Sequence, residues 1–488
     1  MGRTKRFLLA GLLVLGTSGS SLMAQESAPS YSAEDLRVLR QKIEELEQKV
    51  RSLEATRPAA ETTNQQQIIE DLDQKVKILE RNRELEQEAA AAKASEAPRL
   101  TVGERGFSFA SANTNFVLQL RGLAQVDTRI FFDDGGTVGN TTFLLRRLRP
   151  ILQGTVFRDF DFLFAPDFGG SGSPQIVDAY VNYRLRPELQ LQIGKLKVPV
   201  GLEQLQSDTY TFFSERGLPT TLVPNRDLGF QLHGNLFRET LSYQVGVFNG
   251  VGDARSSSNV DFDDNKSVAA RLFFQPFKNS THAFRGLRFG VAGSWEDLQT
   301  NSTTGLPSTT GGSLSGYATP VGQQYFAYNP STGTVLADGE HWRLSPQAYW
   351  YYGPFGLLAE YVVSEQKVRR FGPDAQSARL ANTAWQVAAS WVLTGEEATF
   401  SGVQPRRSFN PLEGRWGALQ LVARYGQVDI DPDAFPLFAN PETSARRAHE
   451  YGLGLNWYLN RNLRVNASYS HTYFTGGGGS GGSAPAIV

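Results

Sequence analysis

From about residue 115 onward the chain alternates. Segments such as FVLQLRGLAQVDTRI, LQLQIG, LGFQLHGN, LSYQVGVF, TAWQVAASWVL and YGLGLNWYLN place an apolar or aromatic residue at every second position. The positions between hold mostly Gln, Arg, Asn, Ser, Asp or Gly. Side chains of a strand point alternately to its two faces, so each segment predicts a strand with one apolar and one wet face. A soluble antiparallel sheet alternates too, but its covered face is usually aliphatic. Here the apolar face is rich in Phe, Tyr and Trp, and the other stays wet over hundreds of residues. A tall barrel with lipid outside and water inside predicts this pattern.

Fifteen candidate strands follow, near 115–129, 143–156, 158–166, 176–184, 188–195, 227–236, 240–248, 267–275, 286–295, 341–351, 355–364, 383–394, 416–427, 449–458 and 462–474. FRET, YGPF and LNRN read as tight turns. Longer Gly-, Asp-, Ser- and Thr-rich stretches alternate with them, at 131–142, 167–174, 196–226, 249–266, 297–340, 366–382 and 428–448. Short turns on one side and long loops on the other is the asymmetry of an outer-membrane barrel. The link at 395–415 breaks that rule, being long where a short turn is due.

The faces separate within strands. In the first, Phe116, Leu118, Leu120, Ala124 and Val126 oppose Gln119, Arg121, Gln125, Asp127 and Arg129. In the twelfth, Trp385, Val387, Ala389, Trp391 and Leu393 oppose Gln386, Ser390 and Thr394. A charge on the lipid face costs several kcal/mol near the midplane, so the arginines are expected on the bore side or at the rims.

The first hundred residues read differently. Residues 1–24 have the form of a secretory signal: Arg3, Lys5 and Arg6, then FLLAGLLVLG, then small residues up to Ala24. In 25–100, Leu36, Leu39, Ile43, Leu46, Val50 and Leu53 form a coiled-coil seam. Pro58 interrupts it, and a second seam follows at Ile69, Leu72, Val76 and Leu79, out of phase with the first. Two helices, or one with a break, are expected. Helices this short are marginal alone, so association into a trimer is expected, with a single amphipathic helix lying on another surface as the alternative.

Composition narrows the function. Lys and Arg number 48 against 49 Asp and Glu, which leaves no basic patch for nucleic acid. There are no cysteines, so disulfides, thiolate metal sites, cysteine nucleophiles and a lipidated cysteine are excluded. Two methionines and five histidines make a metal centre a poor reading, and no cofactor is expected. His233, His282, His341, His449 and His471 are scattered, and no serine sits in a recognisable elbow, so an enzyme is not expected.

Arg129, Arg146, Arg147, Arg149 and Arg184 fall on early strands. Guanidinium groups along a watery bore stay charged and offer forked donors to oxyanions, which lowers the barrier for anions. The equal alternative is that they balance carboxylates such as Asp127 and Asp178. The loop 196–226, with VPVGLEQ and YTFF, is expected to fold inward and narrow the bore; a cap at a trimer junction is its alternative.

At these residues the chain resembles the phosphate-selective porins O and P. The matching stretches are RRLRPILQGTVFRDFDFLF, IVDAYVNY, LQIGKLKVPVGLEQ, VPNRDLGFQLHG, LSYQVGVFNGVGD, LTGEE, GALQLVARYGQVDID and LGLNWYLNRNLRVNASY, in that order over roughly 115–474. The resemblance implies an all-β antiparallel membrane barrel of sixteen strands in the outer membrane. It also implies a homotrimer with an arginine-rich, anion-selective bore for small anions such as phosphate. Carried over residue by residue, Arg129 and the Arg146–Arg147 pair match constriction arginines, and Asp178 matches the constriction aspartate. The lysine that phosphate-selective members place after G-L-E is Gln204 here; Ser207 keeps a hydroxyl nearby, and Lys195 and Lys197 lie just upstream.

The expected domains are therefore a signal at 1–24, a periplasmic helical extension at 25–100, a barrel at 101–474 and a Gly/Ser-rich tail at 475–488 that begins the last extracellular loop. Fifteen strands is an odd count, so a sixteenth is expected to be missing from this sequence. The expected function is a passive channel for small anions. The alternatives are a weakly selective general porin and a structural link between outer membrane and cell wall through the helices.

Overall fold

The computed structural model describes residues 6–14, 33–54, 62–104, 106–132, 141–170, 172–257, 261, 264–298, 314, 316–329, 333–371 and 375–476. All fifteen expected strands are present. They are β1 Val117–Phe132, β2 Thr142–Val156, β3 Phe160–Asp167, β4 Gln175–Arg186, β5 Leu189–Lys197, β6 Arg226–Leu236, β7 Leu241–Phe248, β8 Ser267–Phe274, β9 Arg288–Leu298, β10 Thr334–Tyr352, β11 Phe355–Phe371, β12 Gln376–Val392, β13 Ala418–Asp429, β14 Ala445–Tyr458 and β15 Arg464–Gly476. Each pairs antiparallel with the next. β10, β11 and β12 run further towards the long-loop side than expected, which reduces the stretch at 366–382 to a link at 372–375. The reason is that the alternation continues through EQKVRR: Gln366, Val368 and Arg370 are buried on one face.

The burial pattern is inverted relative to a soluble protein. Leu118, Leu120, Val181, Phe230, Val387, Trp391 and Leu453 stand 41–57% exposed, while Gln125, Asp127, Gln386, Asn456 and Asn466 are buried at 0–1%. The apolar face therefore points outward and the polar face inward, as a wall between lipid and a wet interior requires. Among the described residues no helix is long and apolar enough to cross a membrane.

The fifteen strands do not close on themselves. β1 and β15 are not paired with each other; the backbone of Arg6–Val14 lies between them, antiparallel to both. This segment was expected to be a secretory signal. Its sequence, RFLLAGLLV, lacks the alternation that a wall with one wet face needs. A hairpin, Arg99–Gly103 with Gly106–Ala110, leads onto the start of β1.

Two helices precede the wall, α1 Ala33–Glu54 and α2 Thr62–Glu96. The break expected near Pro58 falls outside the described residues. Seam residues Ile43, Leu46, Val50, Ile69, Leu72, Val76 and Leu79 are 49–67% exposed, so no partner covers the seams in the single chain. Residues 477–488 of the expected tail also lie outside the described residues, while 475–476 end β15.

The face assignment is open to test. Val387→Arg puts a charge on the lipid face and is expected to cost about 2–4 kcal/mol near the midplane. Urea unfolding of the refolded protein in lipid vesicles checks this, and an unchanged midpoint would place Val387 away from lipid.

Candidate functional site

The link between β5 and β6, residues 198–225, lies against the polar face of the sheet. Its apolar residues Val200, Leu202, Phe213, Leu218 and Leu222 are all buried. Two short helices, Leu202–Leu205 and the 3-10 helix Leu218–Leu222, shape it. Strands far apart in sequence hold its backbone. Gln347 donates to Val200 O at 2.7 Å, and Leu202 N donates to Glu360 at 2.8 Å. Asn456 donates to Phe212 O at 2.9 Å, Arg464 to Thr211 O at 2.8 Å and Arg424 to Glu215 O at 3.0 Å. Gly217 is needed for close approach, since a Cβ there would lie 1.8 Å from Gln386 Oε1. That amide is itself held by Glu203 at 2.8 Å and Glu360 at 2.7 Å, so it cannot swing aside.

Two carboxylates on the segment gather the arginines. Glu215 accepts from Arg129 at 2.8 Å, from Arg147 at 3.2 Å and from Arg146. Asp208 lies 2.6 Å from Arg216 and 3.6 Å from Arg147, and it also pairs with Arg149. Arg149 reaches Asp167 at 2.6 Å as well, and Arg129 lies 3.3 Å from Asp127. A bulge explains how two successive arginines reach one carboxylate. In the β1–β2 register Gln125 opposes Arg147 and Val126 opposes Leu145, which leaves Arg146 as the extra residue. Gly169 closes over the bulge, where a Cβ would lie 2.6 Å from Arg147 Cα.

Burial alone pushes the Glu215 carboxyl up, but Arg147, Arg146 and Arg129 outweigh it and hold it at about 2. Burial likewise raises Asp208, and Arg216, Arg147 and Arg149 hold it well below the usual carboxylate range.

The remaining expected residues are dispersed. Asp178 pairs with Arg226 through both guanidinium arms, at 3.0 and 3.2 Å. Arg184 sits towards the turn side, 3.1 Å from Asp161. Lys195 donates to Ser257 O at 2.7 Å, and Lys197 to Leu205 O at 3.3 Å and Gln206 O at 2.8 Å. Gln204 is buried and donates to Asn225 Oδ1, which also accepts from Arg226 at 3.0 Å. Ser207 is exposed and lines a cavity of about 440 Å³ with Arg121, Arg149, Tyr180, Lys197 and Arg226; Gln204 is not among its lining residues. A second cavity, about 450 Å³, is lined by Arg121, Tyr210 and Arg464. Arg121 forms no ion pair among the described residues, and Arg464 is buried with Nε and Nη2 unpartnered.

The link 393–417 supplies a second inward element. Its hairpin, Ala398–Thr399 with Gly402–Val403, stacks Phe400 on Tyr349 at 4.6 Å, and Gln206 donates to Phe400 O at 2.8 Å.

The structure also assembles a constellation that sequence spacing did not reveal. Ser364 Oγ lies 2.8 Å from His341 Nε2, and His341 Nδ1 lies 2.8 Å from Glu296. This has the order of a Ser–His–acid relay. Ser364 instead donates its proton to Asp253 at 2.8 Å, and Arg343 bonds Asp253 at 2.7 Å. All five side chains are buried, so the group fastens the loop after β7 to the wall and presents no nucleophile.

The chain is similar to several known proteins. The family model described as "Phosphate-selective porin O and P" matches residues 118–474. Porin O of Pseudomonas aeruginosa is 23% identical over 388 residues, covering 75% of this chain and 84% of that protein. Among solved structures, OmpT of Vibrio cholerae in a trimer form is 13% identical with a TM-score of 0.45, over 76% of this chain and 92% of that one. An anion-selective porin from Comamonas acidovorans is 10% identical with a TM-score of 0.39, over 73% and 100%.

A carboxylate whose folded value is depressed contributes stability above its ordinary range and loses it as pH falls through the folded value. Glu215 and Asp208 are both depressed, so their contribution to stability is expected to be present from about pH 7 down to about pH 4 and to be lost only as pH approaches about 2. Urea unfolding of wild type and Glu215→Gln across this range checks it. The stability difference between them should stay constant, and a difference that disappears near pH 4 to 5 would show that Glu215 is not held by its arginines.

Proposed function

The chain belongs to the phosphate-selective porin O and P family, and on that basis we propose that it is a passive channel favouring small anions such as phosphate and working as a homotrimer. Its place is the bacterial outer membrane, and members of this family are channels rather than enzymes. In this reading the segment 198–225 forms the constriction, with the hairpin of the link 393–417 meeting it from the turn side.

The observation that carries the anion preference is a pair of cations beside a balanced ion network. Arg129, Arg146, Arg147, Arg149 and Arg216 meet Asp127, Asp167, Asp208 and Glu215, and Arg424 meets Glu203 and Glu450, so the paired groups cancel. Arg121 and Arg464, facing the cavities beside this cluster, add two cations with no carboxylate partner. In a narrow, low-dielectric passage such a surplus attracts anions and repels cations. Asp178, neutralised by Arg226, does not oppose this. Arg184, Lys195 and Lys197 contribute at most a background field.

One observation favours a weaker selectivity. Every arginine expected from the sequence to bind anions is bonded to a carboxylate, and Gln204 is turned to Asn225 rather than into the passage. Under this second reading the arginines mainly fasten the constriction. We also propose that 1–24 is a secretory signal, and that α1 and α2 extend into the periplasm, associating through their exposed seams. Deletion of 25–100 separates channel from tether: envelope defects with normal solute uptake would favour a cell-wall link.

Reversal potentials in a KCl gradient decide between the readings. The wild-type channel is expected to prefer chloride several-fold over potassium, with millimolar phosphate reducing its chloride current. Arg121→Gln with Arg464→Gln is expected to bring the potential towards zero without altering trimer yield. A wild-type potential near zero would overturn the anion reading. An anion preference untouched by the double change would return the selectivity to the paired arginines.

A further inference from the structure

The two halves of the link 393–417 face opposite ways. The first turns into the polar face, as described. The second, residues 404–417, lies on the apolar face at the turn end of β13 and β14. Trp457 shares the parity of Leu453 and Leu455, which are 57% and 39% exposed on the lipid side. Phe409 packs edge-on against Trp457 at 5.1 Å and against Trp416 at 6.0 Å. Trp457 Nε1 donates to Trp416 O at 2.6 Å, and Phe409 N donates to Leu459 O at 2.6 Å, which pins the segment to the wall.

Between these anchors the chain closes into a rigid turn. Asn410 and Arg415 exchange backbone hydrogen bonds at 2.9 and 3.0 Å, and the Asn410 side chain accepts from Leu412 N at 3.2 Å. Gly414 completes the turn in the left-handed region at φ 65°. The tip is Leu412, 96% exposed, and Trp416 beside the anchor is 60% exposed. Arg406 and Arg407 are exposed at the root of the turn; one arm of Arg406 donates to Gly395 O at 2.7 Å, Arg407 forms no ion pair among the described residues, and the Glu413 carboxylate at the tip is paired with Arg415. A turn locked by this many bonds to hold a leucine wholly outside the protein serves an external surface.

We propose that residues 404–416 form a lipid-binding spur. Leu412 and Trp416 enter the leaflet on the turn side, and Arg406 and Arg407 take the phosphate of an anionic phospholipid. Continuity with the lipid-facing wall through Trp457 selects lipid as the occupant. An amphipathic indole at the rim and a forked guanidinium beside it match the boundary between acyl chains and phosphate.

The full chain, refolded into vesicles of phosphatidylcholine and phosphatidylglycerol with acyl chains brominated near the headgroup, tests this. Wild-type fluorescence is expected to contain a quenchable component that Trp416→Phe removes and Leu412→Asp at least halves. Arg406→Gln with Arg407→Gln should lower the preference for brominated phosphatidylglycerol over brominated phosphatidylcholine about threefold, as loss of charge-assisted phosphate contacts predicts. Heat-dependent gel mobility verifies that each variant is folded. Equal quenching in wild type and folded Trp416→Phe would overturn the proposal, because Trp416 would then face water or a second copy. A headgroup preference unchanged by the arginine pair would overturn the phosphate contact.

Discussion

Taking a guanidinium out of bulk water is costly unless it is paired and hydrogen-bonded, and Glu215 pairs with three of them at once. This interaction orders the interior. It fixes the segment 198–225 against β1 and β2, while the Glu215 backbone carbonyl takes Arg424 from β13. Losing Glu215 would leave Arg146 without a carboxylate and crowd it against Arg129 and Arg147, which would keep only Asp127 and Asp208, a larger penalty than the gain from any one of the pairs. In the proposed channel, charges that line the bore also hold its narrowest part in place.

Smaller features make that clamp geometrically feasible. A regular strand would send Arg146 and Arg147 to opposite faces; the bulge at Arg146 brings both to Glu215. Gly169 and Gly217 leave room where backbone or amide groups come too near for a Cβ. Inside, polar residues such as Asn456 and Asn466 satisfy the backbone of a link that has few hydrogen bonds of its own.

The wall was legible because a period of two is a local property of the sequence. Each of the fifteen strands could be read from its own residues, even where β10 to β12 proved longer. The candidate arginines were legible as a class, and Arg129, Arg146, Arg147 and Arg149 do come together. Of their partners Asp127 was legible, but Asp208 and Glu215 were not, because they lie 59 to 86 residues away on a loop with no periodicity. Arg226 was missed although RDLGF opens a strand, because its partner Asp178 lies two strands earlier and nothing in the spacing pairs them. The grouping of Ser364, His341 and Glu296 depends on the pairing of three separate strands, which spacing along the chain does not encode. The departure at Gln204 was visible as a change of residue, but its turn towards Asn225 needed coordinates.

The segment 198–225 is bonded to β10, β11, β13, β14 and β15 and, through Glu215, back to β1 and β2. It therefore works as a keystone, which can settle only when the two ends of the sheet have come near each other. In the proposed channel a half-assembled sheet would have an opening but no filter, so the passage would become selective only when the fold is finished, and a misassembled copy would leak.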